Sequence, residues 1–342
     1  MTERLDTVSG AFSASAPSVV AIGGGTGLSM LLRGLKPALR SGEIGQLTGI
    51  VTVSDDGGSS GRLREDFGII PPGDIRNCLV ALADDEDFLG RLFQYRFPGT
   101  NGLSGHSFGN LFMAAVTGVT GDFYQAILVA ERLLSVCGRV LPATLSDVRL
   151  VARGTSGRRY AGESAVGASG ERLVELALDP PSPLAFAPAV TAIQDADLVL
   201  LGPGSLFTSI VPNLLVPQIH QAITARTRPT VLILNLMTQP GETTDMDALA
   251  HLEAIEQHAG RGLVDLVLAN NAEPSSERLV PYTMAGAAPV SLARLCESRK
   301  EVGVVRRDLM GDGALIRHDP TKLRDAIVSL VSREVWLNPA PR

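Results

Sequence analysis

Short apolar runs that end in glycine, each followed by apolar residues at helical spacing, recur along this chain. "SVVAIGGG", residues 18–25, is the first such run. The stretch after it, "TGLSMLLRGLKPALR", puts Leu28, Leu31, Leu32, Leu35 and Leu39 on one helical face. Strand, glycine turn and helix therefore follow directly. "LTGIVTVS", residues 47–54, is rich in β-branched positions and predicts a second strand. From about 73 to 138, "GDIRNCLVALAD", "DEDFLGRLFQYRF", "GHSFGNLFMAAVTGV" and "GDFYQAILVAERLLSVCG" are each apolar on one face. They predict a helical insertion lying over the first two strands.

From Arg139 the pattern alternates, in "RVLPATLSDVRLVARG" and "ERLVELALD", with a Gly/Ser-rich piece between. A small antiparallel excursion is expected there. "DADLVLLGPGS", "PTVLILNLM" and "LVDLVLAN" then restore strand–helix alternation, with a helix around "MDALAHLEAIEQHA". "DPTKLRDAIVSLVSREV" predicts a closing helix, capped by Asp319 with Pro320 at its first position.

Alternating strands and helices predict an α/β fold: a Rossmann-like, mostly parallel sheet with helices on both faces. Residues 1–17 read as a flexible arm and 18–342 as one domain. In such sheets a ligand lies beyond the carboxyl ends of the strands, where the glycine turns fall.

Composition narrows this picture. Of the 342 residues 45% are hydrophobic, 19% charged and 4% aromatic, so Val, Leu, Ile and Ala build the core. A net charge of −6 argues against broad nucleic-acid binding. Cys78, Cys137 and Cys296 are far apart and show no metal spacing, which suits free thiols in a reducing cytoplasm. The N-terminus has no apolar leader and no run is long enough to span a bilayer, so a cytoplasmic location is expected.

Six stretches carry candidate chemistry. In "GGGTGLS", Gly24, Gly25 and Gly27 let a ligand approach the backbone, the following helix offers unpaired N–H groups, and Thr26 can cap the helix or bond a phosphate. It lacks the lysine of a P-loop, and Leu28 breaks a dinucleotide fingerprint. The alternative is a tight turn without a ligand.

"VTVSDDGGSSGRLREDFGIIPPGDIRN" places Asp55 and Asp56 after the second strand. Gly57, Gly58, Ser59, Ser60 and Gly61 make a flexible anion-binding nest, and Arg62 and Arg64 can reach phosphate. Asp74, Arg76 and Asn77 begin the next helix, where Asp is also a good cap. A solvated loop with surface ion pairs is the competing account. "GLSGHSFGN" holds His106 and Asn110 four apart on one helix face, with a satisfied core histidine as the plainer account.

"GPGSLFTS" repeats the logic of the first turn with Gly202, Gly204 and Ser205, and "LNLMTQPGET" adds Asn235, Thr238 and Gln239 at another strand end. Arg317, in "ALIRHDP", suits a phosphate or carboxylate partner or a surface ion pair.

Taken in order, "GGGTGLS", "SDDGGSSGRLR", "PPGDIRNCLVAL", "GHSFGNL", "GPGSLFTSIVPNLL" and "NLMTQPGET" resemble the gluconeogenesis factor (YvcK) family of the CofD-like superfamily. The resemblance implies binding of UDP-sugars such as UDP-N-acetylglucosamine, and a role in cell shape and wall synthesis during gluconeogenic growth. By position, Thr26 and Arg317 match residues tied to UDP-sugar binding.

The preferred reading is a non-catalytic sensor. A diphosphate would rest on the turns at 24–27 and 202–205, with Asp55 or Asp56 on the ribose or base and Arg62 or Arg317 against phosphate. The signal would pass to a protein partner not identified by the sequence, and the chain is a candidate homo-oligomer. The superfamily also contains 2-phospho-L-lactate transferase, whose aspartates lie in a comparable loop. The alternative is therefore a Mg²⁺-dependent transferase acting on a nucleotide-diphosphate-linked donor, with Asp55 or Asp56 holding the metal or acting as base.

Overall fold

The structure, a computed structural model, describes residues 16–84, 86–100 and 102–332. Most of the expected arm at 1–17 lies outside these residues. The described residues begin with β1 (Ser18–Gly23), α1 (Gly25–Ser41) and β2 (Gln46–Val51). Between β2 and β3 it is helical: α2 (Gly58–Phe67), α3 (Gly73–Leu82), α4 (Arg91–Gln94), α5 (Phe108–Thr120) and α6 (Phe123–Leu133). Then come β3 (Arg139–Pro142), β4 (Arg149–Gly154), β5 (Arg159–Ala161), α7 (Glu163–Gly167) and β6 (Leu173–Asp179). The rest alternates: α8 (Ala187–Asp195), β7 (Leu198–Leu201), α9 (Val211–Leu214), α10 (Pro217–Thr224), β8 (Thr230–Ile233), α11 (Ala248–Ala259) and β9 (Leu266–Asn270). It closes with α12 (Ser276–Met284), α13 (Ala293–Ser298), β10 (Gly303–Arg307) and α14 (Pro320–Val331).

Seven strands pair in the order β10-β9-β8-β7-β1-β2-β3, every pair parallel. The α/β, Rossmann-like expectation holds. Central strands are apolar throughout because helices cover both faces: Leu198–Leu201 and Thr230–Ile233 are buried at every position. The chain runs outward from β1 to β3 on one side and from β7 to β10 on the other. β1 and β7 are neighbours, so the order reverses between them. That point of reversal is where open α/β sheets hold their ligands.

The antiparallel excursion is smaller than its sequence span suggested. β4, β5 and β6 form a separate three-stranded antiparallel sheet. β3, expected within it, instead pairs with β2 from Thr48↔Arg139 to Val51↔Pro142. Val140 and Leu141 are buried and complete the main sheet's edge, and the polar spacing that follows belongs to the turn before β4. Asp319 caps α14 through Thr321 N and Lys322 N, as expected.

Candidate functional site

The turns after β1 and β7 meet at the reversal point. A Cβ on Gly27 would collide with the Pro203 carbonyl oxygen, so glycine is what lets α1 lie against the second turn. A Cβ on Gly24 would come within 2.7 Å of Thr52 Cγ2 and 2.9 Å of Asp74 Oδ2. The glycines thus serve close packing of protein on protein.

Thr26 does not cap α1. Gly24 is the N-cap, and Thr26 is an exposed residue of the first turn. The capping oxygen arrives from α3: Gly25 N donates to Asp74 Oδ2 at 2.6 Å, across 49 residues. Burial lifts the Asp74 carboxyl to about 6, the nearby Asp55 adds to the rise, and Gly25 N–H and Arg76 oppose it. The carboxyl therefore serves α1 rather than its own helix.

The second turn follows the same rule. Asn235 Nδ2 donates to Gly204 O at 2.8 Å, and Phe207 N donates to Glu242 Oε1 at 2.9 Å. Glu242 is 7% exposed, and burial raises its pKa. At both turns, an N–H group that suits a phosphate is engaged by a carboxyl group of the protein itself.

The expected nest at residues 57–61 is the start of a helix. Asp55 Oδ1 accepts from Gly57 N at 2.8 Å, and α2 begins at Gly58. Ser59, Ser60 and Gly61 are buried, and Gly61 packs where a Cβ would strike Asp56 O. Asp56 Oδ1 accepts from Ser164 N at 2.9 Å and Ser164 Oγ at 2.7 Å, which ties this segment to α7. Arg62 is exposed and donates to Ser104 O at 2.7 Å. Arg64 points inward to Asp147 and the Val148 carbonyl.

Ser59, Asn77, His106 and Asn110 gather around the buried Arg76 within the helical layer. Arg76 donates to Asn110 Oδ1 and Asn77 Oδ1, both at 2.7 Å, and to Ser107 Oγ. Ser59 Oγ bonds His106 Nδ1 at 3.0 Å and accepts from Asn110 Nδ2 at 3.1 Å. His106 lies before α5, whose cap is Ser107, so it does not share a helix face with Asn110 as the spacing implied. Burial, then Arg62, holds its imidazole below the ordinary range.

Two cavities lie near the second turn, one at the carboxyl ends of β8 and β9 and one reaching Ser205 itself. One of about 370 Å³ is lined by Asn235, Asn270 and Asn271 and by apolar walls including Leu234, Leu279 and Ile316. Arg317 follows Ile316 and is exposed, not part of a buried strand. The other cavity, about 380 Å³, is lined by Asp55, Glu163, Glu242, Ser205, Thr208 and Gln239, among others. Asn235, bonded to Gly204, lines the first cavity, and Ser205, the next residue of the turn, lines the second.

Glu163 and Glu242 were missed by sequence reasoning. Glu242 lies inside the quoted "TQPGET", where only the amide and hydroxyl residues drew notice. Glu163 sits in a Gly/Ser-rich piece without a motif and reaches the cleft only because the small sheet folds over it. Burial raises its carboxyl to about 9, with further contributions from Asp55, Asp74, Asp56 and Glu242. The cleft gathers Asp55, Glu163 and Glu242, with burial pushing the Glu163 and Glu242 carboxyls above their ordinary range, beside an amide-lined apolar pocket.

Residues 19–310 match the family described as 2-phospho-L-lactate transferase CofD. The gluconeogenesis factor of Bacillus subtilis is 44% identical over 320 residues, covering 92% of this chain and 98% of that one. A relative from Nostoc sp. strain PCC 7120 is 47% identical over 315 residues, 91% of this chain and 68% of its own. A crystal structure from Bacillus halodurans superposes with a TM-score of 0.86 at 41% identity, covering 93% of this chain and 99% of that chain. With this fold, this cleft and these relatives, the chain belongs to the CofD family and resembles its gluconeogenesis factors.

Proposed function

We propose that the chain is a cytoplasmic regulatory protein that binds a nucleotide sugar of the UDP-N-acetylglucosamine kind. Its role would be the one implied for gluconeogenesis factors, in cell shape and wall synthesis during gluconeogenic growth. The observation that carries the reading is a pair of cavities linked by Gly204, which is bonded to Asn235 of the one at the carboxyl ends of β8 and β9 and directly precedes Ser205 of the other. The apolar, amide-lined cavity suits a flat base, because amides can match its edge while Leu234 and Leu279 cover its faces. Thr26, exposed at the mouth of the first turn, and Arg317, beside the base cavity, are available to the diphosphate. A ligand spanning the turn touches both halves of the sheet and can favour one conformation over another. The test is calorimetry with UDP-N-acetylglucosamine on the wild type, Thr26→Ala and Arg317→Ala. Heat of binding that both variants retain at wild-type affinity refutes the placement.

A second reading, a Mg²⁺-dependent transferase, is favoured by the family match and by the acids of the cleft. Among the described residues, no group of three His, Cys, Asp or Glu side chains is arranged to hold a metal ion. Mg²⁺ commonly binds one or two carboxylates together with substrate phosphates, so Asp55 or Asp56 would hold it only jointly with a ligand. This reading predicts Mg²⁺-dependent release of nucleoside monophosphate from a nucleotide-linked donor, lost in Asp55→Asn.

A further inference from the structure

We propose that the acidic cavity beside Ser205 is the sugar subsite of the bound nucleotide, and that it admits neutral, hydroxyl-bearing sugars and turns away sugars carrying a carboxylate. This rests on the nucleotide-sugar reading and specifies which part of the ligand goes where.

The lining excludes the other parts of such a ligand. None of the residues lining the cavity is aromatic, and Pro240 is their one sizeable apolar side chain, so a base finds nothing to stack on. A phosphate finds no free cation there: the lining side chains are carboxyl, hydroxyl and amide. The Phe207 N–H beside it is already given to Glu242 Oε1 at 2.9 Å. Two oxygens of the wall lack partners. Glu163 Oε2 and Gln239 Oε1 are buried with no hydrogen-bond partner. Buried oxygens left unpaired are unusual and costly. Sugar hydroxyls supply donors to such acceptors, and they can accept in turn from Gln239 Nε2, which donates to Ser205 Oγ at 3.1 Å.

Position agrees with chemistry. Ser205 directly follows Gly204, whose backbone is bonded on both its N–H and C=O to Asn235 of the base cavity. A diphosphate crossing this turn carries its sugar into the acidic side. Asp55, Asp56, Glu163 and Glu242 belong to one electrostatic neighbourhood, and Asp56 is held at its edge by Ser164. A sugar carboxylate entering there adds negative charge to a group of acids whose mutual repulsion already raises the Glu163 carboxyl, which disfavours it without any steric change.

The experiment is calorimetry with UDP, UDP-glucose and UDP-glucuronic acid on the wild type, Asp55→Asn and Glu242→Gln. The wild type is expected to bind UDP-glucose about tenfold or more tighter than either UDP or UDP-glucuronic acid. Each variant is expected to narrow the glucose-to-glucuronate ratio to about threefold, a ratio that general loss of folded protein does not change. Wild-type protein that binds UDP-glucuronic acid as tightly as UDP-glucose, or UDP as tightly as either, overturns the subsite. So does an unchanged ratio in both variants. Failure of all three ligands to bind at millimolar concentration is a different result: it removes the nucleotide-sugar reading, and this inference with it.

Discussion

Replacing Glu163 by glutamine should stabilise the ligand-free protein, and by more as the pH rises. In the unfolded chain this carboxyl ionises near its ordinary 4.5, whereas burial and the surrounding acids raise it to about 9 in the fold. Below 4.5 both states hold the proton and the group is neutral in effect. Between the two values the folded state holds one proton more than the unfolded state, so stability falls as pH increases, by about 1.36 kcal/mol per unit. Near pH 7.5 the wild type has risen about three units into that window, a deficit of about 4 kcal/mol, which solvent screening of a partly exposed side chain reduces to about 2–4 kcal/mol. Glutamine keeps the shape and cannot ionise, so it escapes the deficit. Urea unfolding of both proteins near pH 4.5 and near pH 7.5 measures this directly. The midpoints should nearly coincide at the lower pH and separate at the higher one. An equal separation at both, or a less stable variant near pH 7.5, would refute the account of a proton held by an acidic cluster.

Three further outcomes follow from the geometry. Gly27→Ala drives a methyl into the Pro203 carbonyl and should cost about 1–3 kcal/mol in chemical denaturation; a wild-type midpoint would mean the two turns can separate freely. Arg76→Met leaves the oxygens of Asn77, Ser107 and Asn110 without their donor and should lower the melting temperature by several degrees, about 4 °C for a loss of ~3 kcal/mol in a chain this long. Asp74→Asn retains an oxygen for Gly25 N but loses a carboxyl that titrates near 6 in the fold and 3.8 outside it. Its stability relative to wild type should rise between those two pH values and level off above them, and a flat pH profile of the difference would contradict the assigned burial.

How legible was this in the sequence? The turns at Gly24 and Gly202 were, because an apolar run ending in glycines and followed by helical spacing has few other readings. That they face each other was not written locally; it depends on β7 pairing with β1 rather than with β3, which is fixed by how the helices cover the sheet. The same limit explains Asp74, which looks like a cap of its own helix yet serves α1, because the choice between a local and a distant N–H is made by packing. The run from Asp55 to Arg64 was expected as a loop since glycine and serine weaken helices, yet Leu63 and Arg64 bury their side chains and hold α2 together. β3 was put in the wrong sheet because four residues ending in proline carry too short a pattern to decide between partners.

The last helix has a consequence for how the protein is made. Gly34 of α1 lies so close to Pro320 of α14 that a Cβ would strike its carbonyl, and Leu323 and Ile327 of α14 are fully buried. α1 therefore keeps an open flank until α14 has been synthesised. At synthesis rates of about 5–20 residues per second, that interval is roughly 15–60 s. The nascent chain must hold an exposed leucine-rich face apart from its neighbours throughout, and the core on that flank closes only once α14 has emerged.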